Sequence, residues 1–181
     1  MQTFTEKQFN IPALKGISAK TTEEHLKLYA GYVKNANDIL ATGQYDRRFP
    51  FEFNGMRNHE LYFSHFEGGP QPLSPDSPII QAGFDLEKFK ALALTRGVGW
   101  AMLVWDPASK QLLNNWVDEQ HLGQLNGCEM ILALDMWEHS FVADYQPSGK
   151  KQYIEDFFAN LNWQTCEENF LTAQTGSNAT R

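Results

Sequence analysis

The sequence changes character at a stretch rich in glycine and proline, residues 68–78. This stretch contains two glycines, four prolines and two serines, residues that favour loops over regular structure. Apolar residues before it recur with helical spacing, whereas after it short apolar runs alternate with helical segments. The break predicts an N-terminal helical part (1–69) and a C-terminal α/β part (70–171). A polar tail that we expect to be disordered (172–181) follows them.

Two helices are predicted in the N-terminal part. Thr21 and Glu24 stand at capping-box spacing, which indicates a helix start. This helix should run to about Leu40 and end before Gly43. A second helix is expected over residues 51–66. Because the connection between them is short, we expect the two helices to pack as an antiparallel hairpin.

The C-terminal part mixes both periodicities. Helical spacing predicts helices over residues 85–95 and 150–161. Alternating and apolar runs predict three strands, over residues 100–105, 112–117 and 130–134. The predicted fold class is therefore α+β, with an N-terminal antiparallel helical hairpin followed by a small antiparallel sheet flanked by helices.

Composition narrows the class of protein. The chain has 181 residues and a net charge of −7 without a block of lysine or arginine, so we expect no nucleic-acid partner. No apolar run approaches the ~20 residues needed to cross a bilayer, and the N-terminus lacks a signal-peptide pattern; we expect no membrane partner. The two cysteines, Cys128 and Cys166, are expected to be free thiols, which suits a cytoplasmic location.

A carboxylate and an imidazole follow the last predicted strand. Asp135 and His139 stand four residues apart directly after the apolar run 130–134. If the strand ends in Asp135 and continues as a helical turn, both side chains point to one place, because i and i+4 share a helix face. Taken alone, such a pair is weak evidence for a metal site and is more often a solvated ion pair.

The residues around this pair resemble a known family. The sequence Asp-Met-Trp-Glu-His at 135–139 is similar to the Asp-x-Trp-Glu-His signature of the iron/manganese superoxide dismutases. Residues 97–103 resemble the family's Gly-x-Gly-Trp-x-x-Leu strand, and residues 153–163 resemble its terminal helix. Residues 53–63 resemble the second-helix motif, in which Asn-His precedes aromatic residues. The resemblance covers roughly residues 10–170.

The resemblance implies a metal site and an activity. It implies one manganese or iron ion per subunit, held by four ligands: His25, His59, Asp135 and His139. Three neutral imidazoles and one carboxylate also suit these metals on chemical grounds. Zinc is excluded because disproportionation of superoxide needs a metal that alternates between two oxidation states. The implied function is a superoxide dismutase that produces dioxygen and hydrogen peroxide. The alternative is a metal-binding protein of the same fold without turnover, such as a metal buffer or an interaction module.

Seven further residues acquire roles in or near the active site through the resemblance: Tyr29, Tyr32, Trp100, Gln120, His121, Trp137 and Glu138. The implied roles differ. Tyr32 is expected to face the substrate channel, and the two tryptophans to close the pocket. Tyr29 stands where the family often has a second channel histidine. Glu138 is expected to bond His139 of a second subunit, which implies a homodimer and allows a tetramer.

One more role, the hydrogen bond to metal-bound solvent, separates iron from manganese members. The family's glutamine for this bond comes from the second helix in most iron enzymes, and that position here is Gly55, which has no side chain. Gln120 lies where the glutamine of manganese enzymes would emerge, with His121 as the alternative. We therefore expect manganese to be preferred, with iron also usable.

Two features of the sequence depart from the family pattern, and one histidine is left without a role. Tyr32 follows His25 by seven residues, one fewer than is usual in the family. After Tyr145 the sequence lacks the arginine that usually draws in the anion, and Arg57 or Lys27 could replace it. The remaining histidine of helix two, His65, is six residues from His59 and off its helical face, so we expect it to be solvated.

Overall fold

A computed structural model describes residues 3–176 and confirms the predicted α+β fold. The chain begins with two long helices, α1 (Ala19–Thr42) and α2 (Arg48–Ser64), which pack together as a hairpin. Helix α1 ends at Gly43, whose φ of 64° lies in the left-handed region that glycine adopts without steric cost.

The start of α1 differs from the prediction. Ser18, not Thr21, is the N-cap: its Oγ accepts a hydrogen bond from the backbone N of Thr21 at 3.1 Å. Glu24 is instead an exposed residue paired with Lys27 at 3.0 Å. The capping box was therefore placed three residues late, because Ser18 offers the same chemistry one turn earlier.

A three-stranded antiparallel sheet follows, with strand order β2-β1-β3. Its strands are β1 (Gly99–Asp106), β2 (Gln111–Asp118) and β3 (Glu129–Asp135). In the register of β1 and β3, Trp100 lies opposite Asp135. The central strand and the end of β3 are buried, which places the last residue of β3 inside the molecule rather than at its surface.

Shorter helices surround the sheet. They are α3 (Pro78–Gln81), α4 (Leu86–Ala93), α5 (Val142–Tyr145), α6 (Lys150–Asn160) and α7 (Trp163–Thr175), with 3₁₀ turns at Glu138–Ser140 and Pro147–Gly149. Helix α7 runs into the stretch that was predicted to be a tail, so residues 172–175 are helical. Residues 177–181 of that predicted tail lie outside the described residues. The division into parts 1–69 and 70–171 stays a prediction.

One core of buried side chains joins the helical hairpin to the sheet, with Tyr62 and Phe63 of α2 and Trp100 of β1 among its members. Within residues 3–176, no helix is long and apolar enough to cross a membrane. Cys128 and Cys166 are both free, as expected.

Candidate metal centre

Four side chains from four separate elements converge at the centre of the molecule. His25 comes from α1, His59 from α2, Asp135 from the last position of β3, and His139 from the 3₁₀ turn that follows. Each offers one nitrogen or oxygen atom, and these atoms all lie within 4.8 Å of one another. The spacing is what a single coordinated ion requires, because metal–ligand bonds of about 2 Å place the ligand atoms a few ångströms apart.

Asp135 is the hub of this cluster. Its Oδ2 lies 3.1 Å from His25 Nε2, 3.0 Å from His139 Nε2 and 3.6 Å from His59 Nε2. Its other oxygen, Oδ1, accepts a hydrogen bond from the backbone N of Trp137 at 2.8 Å. Asp135 therefore turns one oxygen towards the three imidazoles and fixes the other on the chain that leads to His139.

The tautomer of His59 follows from its contacts. Its Nδ1 lies 2.6 Å from the carbonyl oxygen of Gly55, which can only accept, so Nδ1 carries the proton. The lone pair is then on Nε2, which points into the cluster and has no hydrogen-bond partner among the described residues. A buried lone pair without a partner, aimed at a carboxylate and two more imidazoles, is an arrangement that a cation completes.

The charge of the cluster also favours a bound cation. Burial lowers the pKa of His25, and it lowers the pKa of His59 to about 3. Burial alone would raise the pKa of Asp135, but the neighbouring His139 and His25 outweigh it and hold that pKa below its ordinary value. The result is an ionised carboxylate in a buried site, beside two imidazoles whose pKa values burial lowers. A buried negative charge is costly unless a cation neutralises it, so the donor set fits a manganese or iron ion.

Gln120 bonds two aromatic residues beside the cluster. It is fully buried, its Oε1 accepts from Trp100 Nε1 at 2.9 Å, and its Nε2 donates to the Tyr32 hydroxyl at 3.0 Å. The indole N–H can only donate, so the amide orientation is fixed. The Tyr32 and Trp100 rings each lie 5.0 Å from the His59 ring. Sequence reasoning named these three residues, and the structure brings them together.

Gly55 explains why α2 leaves room for Tyr32. A Cβ at this position would lie 2.6 Å from the Tyr32 ring, closer than any real side chain could sit. Helix α1 is continuous, so His25 and Tyr32 at a spacing of seven lie on one stripe and both face α2. The shorter spacing is thus accommodated in a regular helix.

Comparisons with known proteins identify the family of the chain. A family profile described as "Iron/manganese superoxide dismutases, C-terminal domain" matches residues 83–169. The manganese superoxide dismutase of Haloarcula marismortui is 45% identical over 165 residues, which cover 82% of this chain and 80% of the relative. The iron superoxide dismutase of Cupriavidus metallidurans is 31% identical over 182 residues, 88% of this chain and 91% of the relative. The chain belongs to the iron/manganese superoxide dismutase family.

The other family-derived residues occupy different surroundings. The Trp137 ring stacks on the His139 ring at 5.9 Å, and its Nε1 donates to the carbonyl of Glu119. Glu138 is exposed on this single chain. His121 lies next to Gln120 in sequence but packs its ring against Phe51 at 5.9 Å, outside the cluster.

Tyr29 is buried but belongs to a separate network. Its hydroxyl donates to Glu60 at 3.2 Å and accepts from the backbone N of Lys7 at 2.9 Å. Burial, with the nearby Glu60 carboxylate as a smaller contribution, raises its pKa to about 12. Tyr29 therefore ties the N-terminal segment to the hairpin of this superoxide dismutase family member.

The two cations suggested as substitutes for the missing arginine are already engaged. Arg57 Nη1 pairs with Glu60 at 2.7 Å, and its guanidinium lies over the Phe4 ring. Lys27 pairs with the exposed Glu23 and Glu24 on its own helix. Their charges are thus balanced by carboxylates on their own helices.

His65 corrects the expectation of a solvated side chain. It is completely buried at the C-terminal end of α2, where its Nε2 accepts a hydrogen bond from the backbone N of Ala133 at 3.2 Å. Sequence reasoning missed it because a spacing of six from His59 was measured along a helix, whereas α2 ends at Ser64. The signal was the neighbouring Phe63 and Phe66, both buried.

Proposed function

We propose that the protein is a superoxide dismutase that converts two superoxide anions and two protons into one dioxygen and one hydrogen peroxide. The proposed ligands of a single mononuclear metal are His25, His59, Asp135 and His139. The observation that carries the proposal is the buried convergence of three imidazole nitrogens on Asp135 Oδ2, with the His59 Nε2 lone pair left without a partner among the described residues. Membership of the dismutase family supports it.

A bound manganese or iron ion would supply one-electron redox chemistry, taking an electron from one superoxide and returning it to the next. The protein has to supply protons and exclude competing reactions. Because Gln120 Nε2 donates to the Tyr32 oxygen, the hydroxyl hydrogen of Tyr32 is not used in that bond. Burial raises the pKa of Tyr32, so the phenol keeps its proton. Tyr32 is therefore proposed to hold a proton beside the site.

Gln120 is proposed to orient solvent at the metal site, as the hydrogen-bonding residue preferred over His121. Its position in the structure supports this assignment, because its amide lies between Trp100 and Tyr32 while the His121 ring packs on Phe51. We favour manganese as the native metal, since Gly55 leaves the second-helix position without a side chain. Trp100 and Trp137 are proposed to exclude bulk water.

We further propose a homodimer in the cytoplasm, with a tetramer allowed. Glu138 is exposed on the single chain next to His139, a ligand whose side chain is 27% exposed. A carboxylate from a second subunit would orient that imidazole and raise its basicity. The free cysteines support a reducing compartment.

The decisive experiment compares the manganese-loaded protein with Asp135→Ala. We expect the parent to accelerate superoxide decay in a stopped-flow assay, and the variant to lose both metal and activity while remaining folded by circular dichroism. Asp76→Ala, a change at an exposed aspartate, is the control and should match the parent. A parent that binds manganese tightly without accelerating decay would favour the metal-binding protein without turnover.

A further inference from the structure

The outer edge of β3 is bonded by side chains rather than by another strand. In the order β2-β1-β3, this strand pairs with β1 on one side only. Three side chains from three segments bond the other side: Asn169 of α7 to Ile131 O at 3.2 Å, His65 to Ala133 N at 3.2 Å, and Tyr153 of α6 to Asp135 O at 2.9 Å. The strand that ends in a proposed metal ligand is therefore held along its outer edge.

His65 is the only nitrogen acceptor in this set, and its contacts fix its tautomer. A backbone N–H can only donate, so Nε2 carries the lone pair and Nδ1 carries the proton. Nδ1 faces Cys166 Sγ at 3.7 Å, a weak acceptor from α7. Burial lowers the pKa of His65 to about 3, so this neutral form persists across the working pH range.

His65 contacts two elements that each carry a proposed metal ligand. It caps the C-terminus of α2, the helix that carries His59, and it bonds Ala133, two residues before Asp135. Its own carbonyl accepts from the backbone N of Asn162 at 2.7 Å, which anchors it to the start of α7. His65 thus joins the element that carries one proposed ligand to the strand that carries another.

We propose that His65 is a positioning residue for the metal centre: its neutral imidazole fixes β3 against α2 and so sets Asp135 Oδ2 relative to His59 Nε2. The inference rests on the proposed metal site. It has consequences for binding because ligand sets work only within about 0.5 Å of their productive geometry. A second link from α2 runs through Tyr62, whose hydroxyl lies 3.2 Å from that of Tyr153. Loss of His65 should therefore loosen the site rather than dismantle it.

The test compares two replacements that differ in one hydrogen bond. His65→Gln can place an oxygen near the position of Nε2 and accept from Ala133 N, whereas His65→Leu keeps an apolar volume and leaves that N–H unpaired. Manganese affinity of the metal-free protein is measured by competition with a chelator, and the electron paramagnetic resonance spectrum of bound Mn²⁺ reports the symmetry of the site. We expect His65→Leu to bind manganese about tenfold more weakly, with an altered spectrum, and His65→Gln to resemble the parent.

The control for a loss of stability without repositioning is Phe89→Leu. Phe89 is fully buried on α4, which packs on β1 and β2, and its ring contacts Phe84 and Phe158. The Phe89→Leu variant should have a lower unfolding temperature, with manganese affinity and the spectrum of bound manganese unchanged. Unchanged affinity and spectrum in a folded His65→Leu protein would overturn the proposal.

Should His65→Leu fail to fold, the comparison moves to His65→Asn. Its shorter side chain cannot reach Ala133 N, so it should show the weakened affinity while His65→Gln does not. Equal affinities for His65→Asn, His65→Gln and the parent would refute the positioning role. A parent protein that binds manganese without dismutase activity would instead refute the proposed function and leave the positioning result intact.

Discussion

Gln120 and His121 are adjacent in sequence, yet their side chains lie in different surroundings. Gln120 is buried between Trp100 and Tyr32, whereas the His121 ring packs on Phe51. Gln120→Ala should lower dismutase activity by about 10- to 100-fold, the usual effect of losing a hydrogen-bonding partner near a metal, while the metal is retained. His121→Ala should change activity less than about threefold. Stopped-flow superoxide decay at equal manganese content measures both, and the reverse ranking would move the role to His121.

Single residues also show where sequence reasoning reaches its limit. The proximity of Asp135 and His139 was predicted correctly, but not through a shared helix face: Asp135 ends strand β3 and His139 lies in the 3₁₀ turn that follows. The burial of His65 depended on where α2 ends and on which strand lies beside it, and both are set by tertiary packing. A periodicity measured along one element carries no information about a contact across 68 residues of sequence.

At the scale of elements, the start of α1 gives a test. Ser18 caps the helix through its bond to the backbone N of Thr21, so Ser18→Ala should cost about 1 kcal/mol of unfolding free energy. Glu24→Ala, at the position predicted for the capping box, removes only an exposed ion pair and should cost less than about 0.5 kcal/mol. Chemical denaturation of both variants measures the difference. Equal losses would mean that Ser18 does not act as the cap.

Most of the helices and strands were predicted from the sequence, and helix α7 is an exception. Strands β1, β2 and β3 carry apolar residues that mark them, and all three were predicted to within one residue at each end. Helix α7 was missed as a separate element because its start, at Trp163, was taken for the end of the preceding helix. Its last turn, reaching Thr175, is mostly polar, and the helix packs on the sheet through contacts such as that of Phe170 with Trp105.

At the scale of the whole molecule, buried His65 links stability to pH. Its pKa is about 3 in the folded protein against 6.5 for the unfolded reference. Between these values the unfolded state binds the extra proton, so stability falls as pH falls from about 6.5 towards 3. From pH 7 to pH 5 the protonation of this one group in the unfolded state should lower the free energy of unfolding by about 2 kcal/mol. Denaturation of manganese-loaded parent and His65→Gln proteins at both pH values tests this, and identical pH dependence would contradict it.

Assembly gives the second prediction at this scale. If Glu138 bonds His139 of a partner subunit, Glu138→Gln should shift the protein towards monomer or lower its manganese occupancy. Sedimentation velocity with metal analysis measures both, and Glu119→Gln, a change at another exposed glutamate, is the control. A parent protein that sediments as a fully loaded, active monomer would disprove the proposed dimer.

The side chains along β3 also bear on the fate of the metal-free protein. An uncovered strand edge invites pairing with a strand from another molecule, which is a common route to aggregation. Here Asn169 and His65 occupy two of the edge groups that such an intruder would need, at Ile131 and Ala133. If metal loss lets α2 move away from the strand, the Ala133 N–H is released. Retaining the ion would then protect the protein against aggregation, in addition to supporting its activity.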